Sequence, residues 1–220
     1  MVELILIRHG ETAWNLERRL QGNVDIPLNA TGLQQAMALA NALDNEPLDA
    51  IISSDLQRAI QTANALAASR SIQRETDPQW RERSFGGFEG HLIDSIEEHF
   101  PAEYAAWRSY QVDSPFPVNP DTQTRGETVR QFHQRIAGAL VNLARQRAGQ
   151  KVAVVAHGGV LECAWRIAHR LPLHAARETA MKNASINRFA LRIENDEPVL
   201  DLQLWGDVRH LDSTLDEIGR

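Results

Sequence analysis

The stretch Leu4-Ile5-Leu6-Ile7-Arg8-His9-Gly10-Glu11-Thr12-Ala13-Trp14 begins as an apolar run and stops abruptly at Arg8, where packing alone calls for none of the side chains that follow. Glu3 to Arg8 reads as a buried strand, and a glycine just past its end lets the backbone turn and a ligand approach. Arginine offers a planar fork that matches two phosphate oxygens, and a neutral imidazole can attack phosphorus to form a covalent intermediate. An isolated Arg-His pair more often just ends a strand at the surface. The rest of the chain therefore has to decide.

Outward from this stretch, strand and helix alternate. Thr31-Gly32 opens a segment to about Leu43 with Leu33, Ala36, Met37, Ala40 and Leu43 at helical spacing. Asp49 to Ser53 reads as a second buried strand, and Asp55 reads as the cap of a helix with Leu56, Ala59, Ile60, Ala63 and Leu66 on one face. Lys151 to Ala156 (KVAVVA) is the clearest buried strand, and His157-Gly158-Gly159 leads from it into a helix through about His169. Phe189, Leu191 and Ile193, then Leu200, Leu202 and Leu204 across a turn-like Glu194 to Pro198, predict a hairpin. Between Gly86 and about Arg125 the alternation lapses into short helical patches and a loop with Pro115, Pro117 and Pro120. Gly126-Glu127-Thr128 then starts a long helix to about Arg147. The expected architecture is a three-layer α/β/α domain spanning residues 1–220. Its sheet is mainly parallel with an antiparallel edge, and residues 86–125 form a helical insertion.

With 220 residues and 43% apolar content the chain can bury a full core. Its formal charge of −6 supplies no basic field for nucleic acid or anionic lipid, so recognition of an anion has to be local. The lone Cys163, in an apolar setting, reads as a buried structural thiol and fits a reducing compartment. No apolar run approaches the roughly 18 residues of a membrane span, so the expectation is a cytoplasmic protein. A homodimer is the base-rate expectation, and the residues after Asp207 read as a polar tail.

Two strand-His-Gly junctions, at Ile7-Arg8-His9-Gly10 and Ala156-His157-Gly158, can bring both imidazoles to the carboxyl edge of one sheet. A third strand end, Ser53-Ser54-Asp55, leads to Arg58 one turn into its helix. In order, Arg8-His9-Gly10-Glu11-Thr12, Trp14-Asn15, Gln21-Gly22, Pro27-Leu28-Asn29 with Thr31-Gly32, Ser53 to Ala59 with Thr62-Ala63, Arg81-Glu82 with Gly86, Gly126-Glu127-Thr128 and Val155 to Gly159 resemble the histidine phosphatase superfamily. That group includes cofactor-dependent phosphoglycerate mutase.

The resemblance implies that His9 attacks the phosphoryl group, and that Arg8, Arg58 and His157 surround it, with His157 cationic or hydrogen-bonding. It implies that Glu82 is the acid and then the base, and that Asn15, Gln21, Gly22 and Gly158 complete the phosphate site, with no metal and no cofactor. Read without it, Arg81-Glu82-Arg83 is a charged run of the kind that usually forms a solvated face. The resemblance attaches mutase chemistry to a tyrosine after the acid, a lysine and an Arg-Arg-Asn run. This chain has Phe85 there, no Lys between Glu82 and Gln150, and no adjacent Arg pair in that interval. The expectation is a phosphomonoesterase acting on a small phosphorylated metabolite, with a 2,3-bisphosphoglycerate-dependent mutase as the alternative. A phosphate-binding protein without turnover is a third reading, against which the full set of catalytic residue types argues. The aromatic residues of the insertion are expected mostly to pack it and otherwise to line an apolar pocket.

Overall fold

The computed structural model describes residues 1–176 and 179–211. Six strands form one sheet: β1 (Val2–Arg8), β2 (Ala50–Ser53), β3 (Arg74–Thr76), β4 (Lys151–Ala156), β5 (Ile186–Glu194) and β6 (Glu197–Asp207), in the order β3-β2-β4-β1-β5-β6. The first four are mutually parallel, and β5 and β6 are the antiparallel hairpin at one edge. The expected sheet is thus the observed one, with one strand more. β3 reads Arg-Glu-Thr, has no apolar alternation, and exists because β2 offers it a free edge.

Register is what positions the site. Arg8 on β1 pairs with Ala156 on β4, so the next residues on the two strands, His9 and His157, emerge side by side. Ser53 on β2 pairs with Val155, which brings the Ser54–Arg58 turn to the same carboxyl edge. Alternation along the strands divides the core in two. Leu4, Leu6, Val152 and Val154 face the cluster with Phe132, Ile136 and Leu140 of α6 (Val129–Gln146) and with α7 (Gly158–His169). A single turn, α1 (Ala13–Leu16), follows β1, and Ile5, Ile7, Ala153 and Val155 face α2 (Ala30–Ala42) and α3 (Gln57–Ala67). Among the described residues no helix is long and apolar enough to cross a membrane.

Two local expectations are corrected. α2 does not bury Leu33 and Met37, which are 46% and 57% exposed; it buries Gly32, Gln35, Ala36 and Leu39. The rotation is set by contact with the loop after β1. A Cβ on Gly10 would lie 2.5 Å from the Gly32 carbonyl oxygen, and Gln35 Oε1 accepts the Glu11 N–H at 2.8 Å. Nor does Asp55 cap α3. Its carboxylate takes the Arg81 guanidinium through two bonds of 2.7 Å, and Asp25 Oδ1 accepts the Gln57 N–H instead.

The insertion carries two short helices, α4 (Ile96–His99) and α5 (Pro101–Arg108), around a small core of Phe88, Ile96 and Phe116. Phe85, Phe100, Tyr104 and Trp107 pack on that core, as expected of most of its aromatic residues. α6 starts where predicted, because Thr128 and Gln131 form a reciprocal capping box. Past Asp207 a single turn, Arg209–Leu211, packs on α2, and the remaining residues of the predicted tail lie outside those described.

Candidate active site

His9 follows β1 directly, and its Nδ1 stands 2.6 Å from the Gly10 carbonyl oxygen. A carbonyl can only accept, so Nδ1 carries the proton and Nε2 keeps its lone pair. The loop is held on three sides. The Gly10 N–H donates to Thr62 Oγ1 at 3.1 Å, the Ala184 N–H to His9 O at 3.2 Å, and Asn183 Nδ2 to His9 O at 3.0 Å. Burial, then Arg58 and Arg8, hold the His9 pKa well below the ordinary imidazole value, which keeps this ring neutral and nucleophilic.

The His157 ring lies 5.2 Å from that of His9 and is fully buried, with neither ring nitrogen bonded to any described residue. Its pKa is also pushed well below the ordinary value, by burial first and then by Arg58, His9 and Arg8. Of the two expected forms, cationic or hydrogen-bonding, this burial in the free site favours the neutral, hydrogen-bonding one. Two buried imidazoles of this kind make stability pH-dependent. Between their depressed folded values and 6.5 the unfolded chain binds protons that the folded chain does not, so stability falls as pH drops below 6.5. Each ring contributes up to about 1.4 kcal/mol per pH unit. Urea denaturation from pH 7.5 to 5.5 is expected to show this loss, with a flatter profile in His157→Gln.

Arg58 sits in the first turn of α3 with its guanidinium held by Gly22 O at 2.7 Å and Val24 O at 2.8 Å; Nε is buried without a partner. Burial lowers its pKa to about 10, so it stays charged at neutral pH. Gly22, predicted on the phosphate, thus also holds Arg58. It has φ +52°, and a Cβ there would come within 2.1 Å of Glu89. Arg8 donates to the Met181 carbonyl. The Thr12 hydroxyl stands 3.1 Å from both Asn15 Oδ1 and Gln21 Oε1, which sets those amides so that their NH₂ groups donate to no other described residue.

The charged run Arg81-Glu82-Arg83 is not a solvated face. Arg81 pairs with Asp55, and Glu82 accepts backbone N–H bonds from Arg83 at 2.8 Å and Gly159 at 3.0 Å. Arg135, which sequence reasoning missed, clamps the segment. It donates to the carbonyls of Gln79, Arg81 and Glu82 while held by the Glu127 carboxylate at 2.7 Å. Gly159 is required by contact: a Cβ there would lie 2.2 Å from Glu82 Oε1 and 3.0 Å from the Phe132 ring. Gly159→Ala is expected to displace the carboxylate and to lower kcat/KM for phosphate esters by about 10²-fold, the scale of an ångström-level misplacement. Steady-state assay of the folded variant checks this.

These side chains meet in a cavity of about 680 Å³, within the range of small-molecule sites. Arg8, His9, Asn15, Gln21, Gly22, Arg58, Glu82 and Gly158 all line it; His157 lies behind, against His9. Away from these residues the wall is formed by Arg83, Phe85, Trp107, Tyr110, Phe116 and Glu162. Arg83 and Asn183 carried no sequence signal, since their roles depend on neighbours distant along the chain. Cys163 is buried, as expected, with its thiol pKa pushed up by burial.

Comparison with known proteins agrees with this arrangement. The profile of the histidine phosphatase superfamily (branch 1) matches residues 4–206. A probable phosphoglycerate mutase, GpmB, of Yersinia pestis is 35% identical over the whole of both chains. Bacillus stearothermophilus YhfR is 30% identical with a TM-score of 0.83, over 96% of this chain and 100% of that one. A phosphoserine phosphatase from Entamoeba histolytica, solved with 3-phosphoglyceric acid, is 28% identical with a TM-score of 0.78, over 96% of this chain and 100% of that one. With the profile spanning both strand-His-Gly junctions and nearly all of the sheet between them, this chain belongs to the histidine phosphatase superfamily, branch 1.

Proposed function

We propose that the protein is a phosphomonoesterase that hydrolyses a small phosphorylated metabolite through a phosphohistidine on His9. The observation that carries this reading is the Nδ1 bond to Gly10 O, which leaves the Nε2 lone pair of a neutral ring beside two guanidinium groups in one cavity. Nε2 attacks phosphorus, the P–O bond to the alcohol breaks, and the leaving oxygen takes a proton from Glu82. Water then attacks the phosphohistidine, returning a proton to Glu82 and releasing phosphate. Arg8, Arg58, the amides of Asn15 and Gln21, the N-terminus of α7 at Gly158 and the single N–H of the neutral His157 ring stabilise charge on the equatorial oxygens.

Mutase chemistry is the second reading, favoured by the name of the Yersinia relative. Phe85 in place of a tyrosine and the absence of lysine between Glu82 and Gln150 weigh against it. The discriminating experiment measures phosphate release from a panel of phosphomonoesters beside 3-phosphoglycerate isomerisation, with and without 2,3-bisphosphoglycerate. Release without isomerisation supports the phosphatase. Bisphosphate-dependent isomerisation overturns it in favour of the mutase, and ester binding without release of phosphate overturns both.

A further inference from the structure

One peptide group beside the cavity is held at both ends. The Gly22 carbonyl accepts from Arg58 at 2.7 Å, and the N–H of the same amide, on Asn23, donates to Glu89 Oε1 at 3.1 Å. In a trans amide these two groups point in opposite directions in one plane, so an anchor on the N–H aims the carbonyl. Rotation of that plane would take the oxygen off Arg58 and break the bond to the half-buried Glu89 carboxylate. An anionic acceptor on the N–H also polarises the amide, which makes its oxygen a better partner for a guanidinium. Gly22 has φ +52°, and a Cβ there would fall 2.1 Å from Glu89 Oε1, so the backbone runs close against the carboxylate.

The same Glu89 oxygen accepts the Phe85 N–H at 2.8 Å, three residues after Glu82. One atom therefore ties the loop that holds Arg58 to the segment that carries Glu82. Before it along this seam the two stretches meet main chain to main chain, with the Gly90 N–H on Leu20 O at 2.9 Å and the Leu20 N–H on His91 O at 3.0 Å. Burial raises the Glu89 pKa, against the pull of the Asn23 and Phe85 N–H groups, the Ser84 hydroxyl and Arg58. A cap on the Gly86–Phe88 turn would need only the Phe85 bond; the Asn23 bond reaches across to a different loop. Glu89 is not among the residues that line the cavity, so whatever it contributes passes through Arg58 and the Glu82 segment. We infer that Glu89 is a positioning residue that locks the Gly22–Asn23 peptide, and through it the Arg58 guanidinium, in alignment with Glu82, of which only the role of Glu82 rests on the phosphatase reading. Because both bonds converge on one oxygen, the place of that oxygen matters more than its charge.

Two variants separate the place of the oxygen from the charge it carries. Glu89→Asp keeps the charge and withdraws the oxygen by one methylene, about 1.5 Å. Glu89→Gln removes the charge and keeps one acceptor oxygen at the same reach. Binding of inorganic phosphate is measured by calorimetry on the full chain, and kcat and KM on an alkyl phosphate, with denaturation midpoints taken on the same samples. Glu89→Asp is expected to weaken phosphate binding at least tenfold, the scale of one hydrogen bond to a charged group, and to lower kcat by about 10²-fold, the scale of an ångström-level misplacement. Glu89→Gln is expected to recover both to within about fivefold of the parent. In protein already carrying Arg58→Gln, Glu89→Asp should change phosphate affinity by less than about twofold, since the route through Arg58 is gone. Losses in Glu89→Gln as large as those in Glu89→Asp overturn the assignment. So does folded Glu89→Asp with both constants unchanged and only a lower midpoint, the signature of a purely structural role, and so does a loss of affinity that adds in full to that of Arg58→Gln. Absence of phosphate release from any ester by the parent protein would overturn the phosphatase reading, while the phosphate constants still decide Glu89.

Discussion

His9→Ala is expected to reduce phosphate release by about 10⁴-fold or more, the scale seen when a covalent nucleophile is removed. The remaining groups still bind and polarise the ester, but nothing is left to attack phosphorus except water that the site does not orient. The fold is expected to survive. The ring makes one hydrogen bond, to the carbonyl of its own neighbour, and Gly10 O keeps Asn183 Nδ2 at 3.2 Å when the imidazole is gone. Removing a buried ring that resists protonation also removes part of the stability loss below pH 6.5. Protein quenched in acid or base during turnover separates the mechanisms. Acid-labile, base-stable phosphate should be found on the parent and not on the variant, and activity near that of the parent in His9→Ala would refute the covalent route.

The second large effect is expected from Glu82→Gln, and its size should depend on the leaving group. Alkyl alcohols need a proton to depart, and loss of that proton is expected to cost 10² to about 10⁴ in rate; p-nitrophenolate leaves without one and should lose far less in the first step. On the proposed route, hydrolysis of the phosphohistidine would need the same carboxylate as a base, so p-nitrophenyl phosphate is expected to give a burst of nitrophenol followed by a slow steady state. Geometry adds a structural cost. Both Glu82 oxygens accept backbone N–H groups, from Arg83 and Gly159, and glutamine has only one acceptor oxygen to offer. The unmatched N–H is expected to destabilise the fold by about 1 to 3 kcal/mol, readable as a lower denaturation midpoint. Equal rate losses for alkyl and nitrophenyl esters, without a burst, would mean that Glu82 only shapes the segment.

Much of this arrangement was legible because it is local. Val2–Arg8 and Lys151–Ala156 are apolar runs ending in His-Gly, and such a run in an α/β chain has one stable place, the centre of a covered parallel sheet. The helix faces were less legible. Leu33 and Met37 look like a buried stripe, yet α2 turns them outward because Gly10 and Gly32 must touch backbone to backbone. Asp55 resembles a helix cap because sequence cannot reveal that Arg81, 26 residues later, claims its carboxylate.

The sequence by itself determined the strands, the alternation and the two junctions that end in histidine, since burial and backbone freedom act over a few neighbouring residues. Tertiary structure alone decided what those junctions can do. The Arg8–Ala156 register brings His9 and His157 together, and the shared burial that follows keeps both rings neutral. The same three-dimensional packing turned an apparently solvated Arg81-Glu82-Arg83 run into an ion pair, a carboxylate on the N-terminus of α7 and a half-buried cation that lines the cavity against two aromatic rings. Desolvation and charge proximity depend on distance through space, and the order of residues along the chain does not contain that distance.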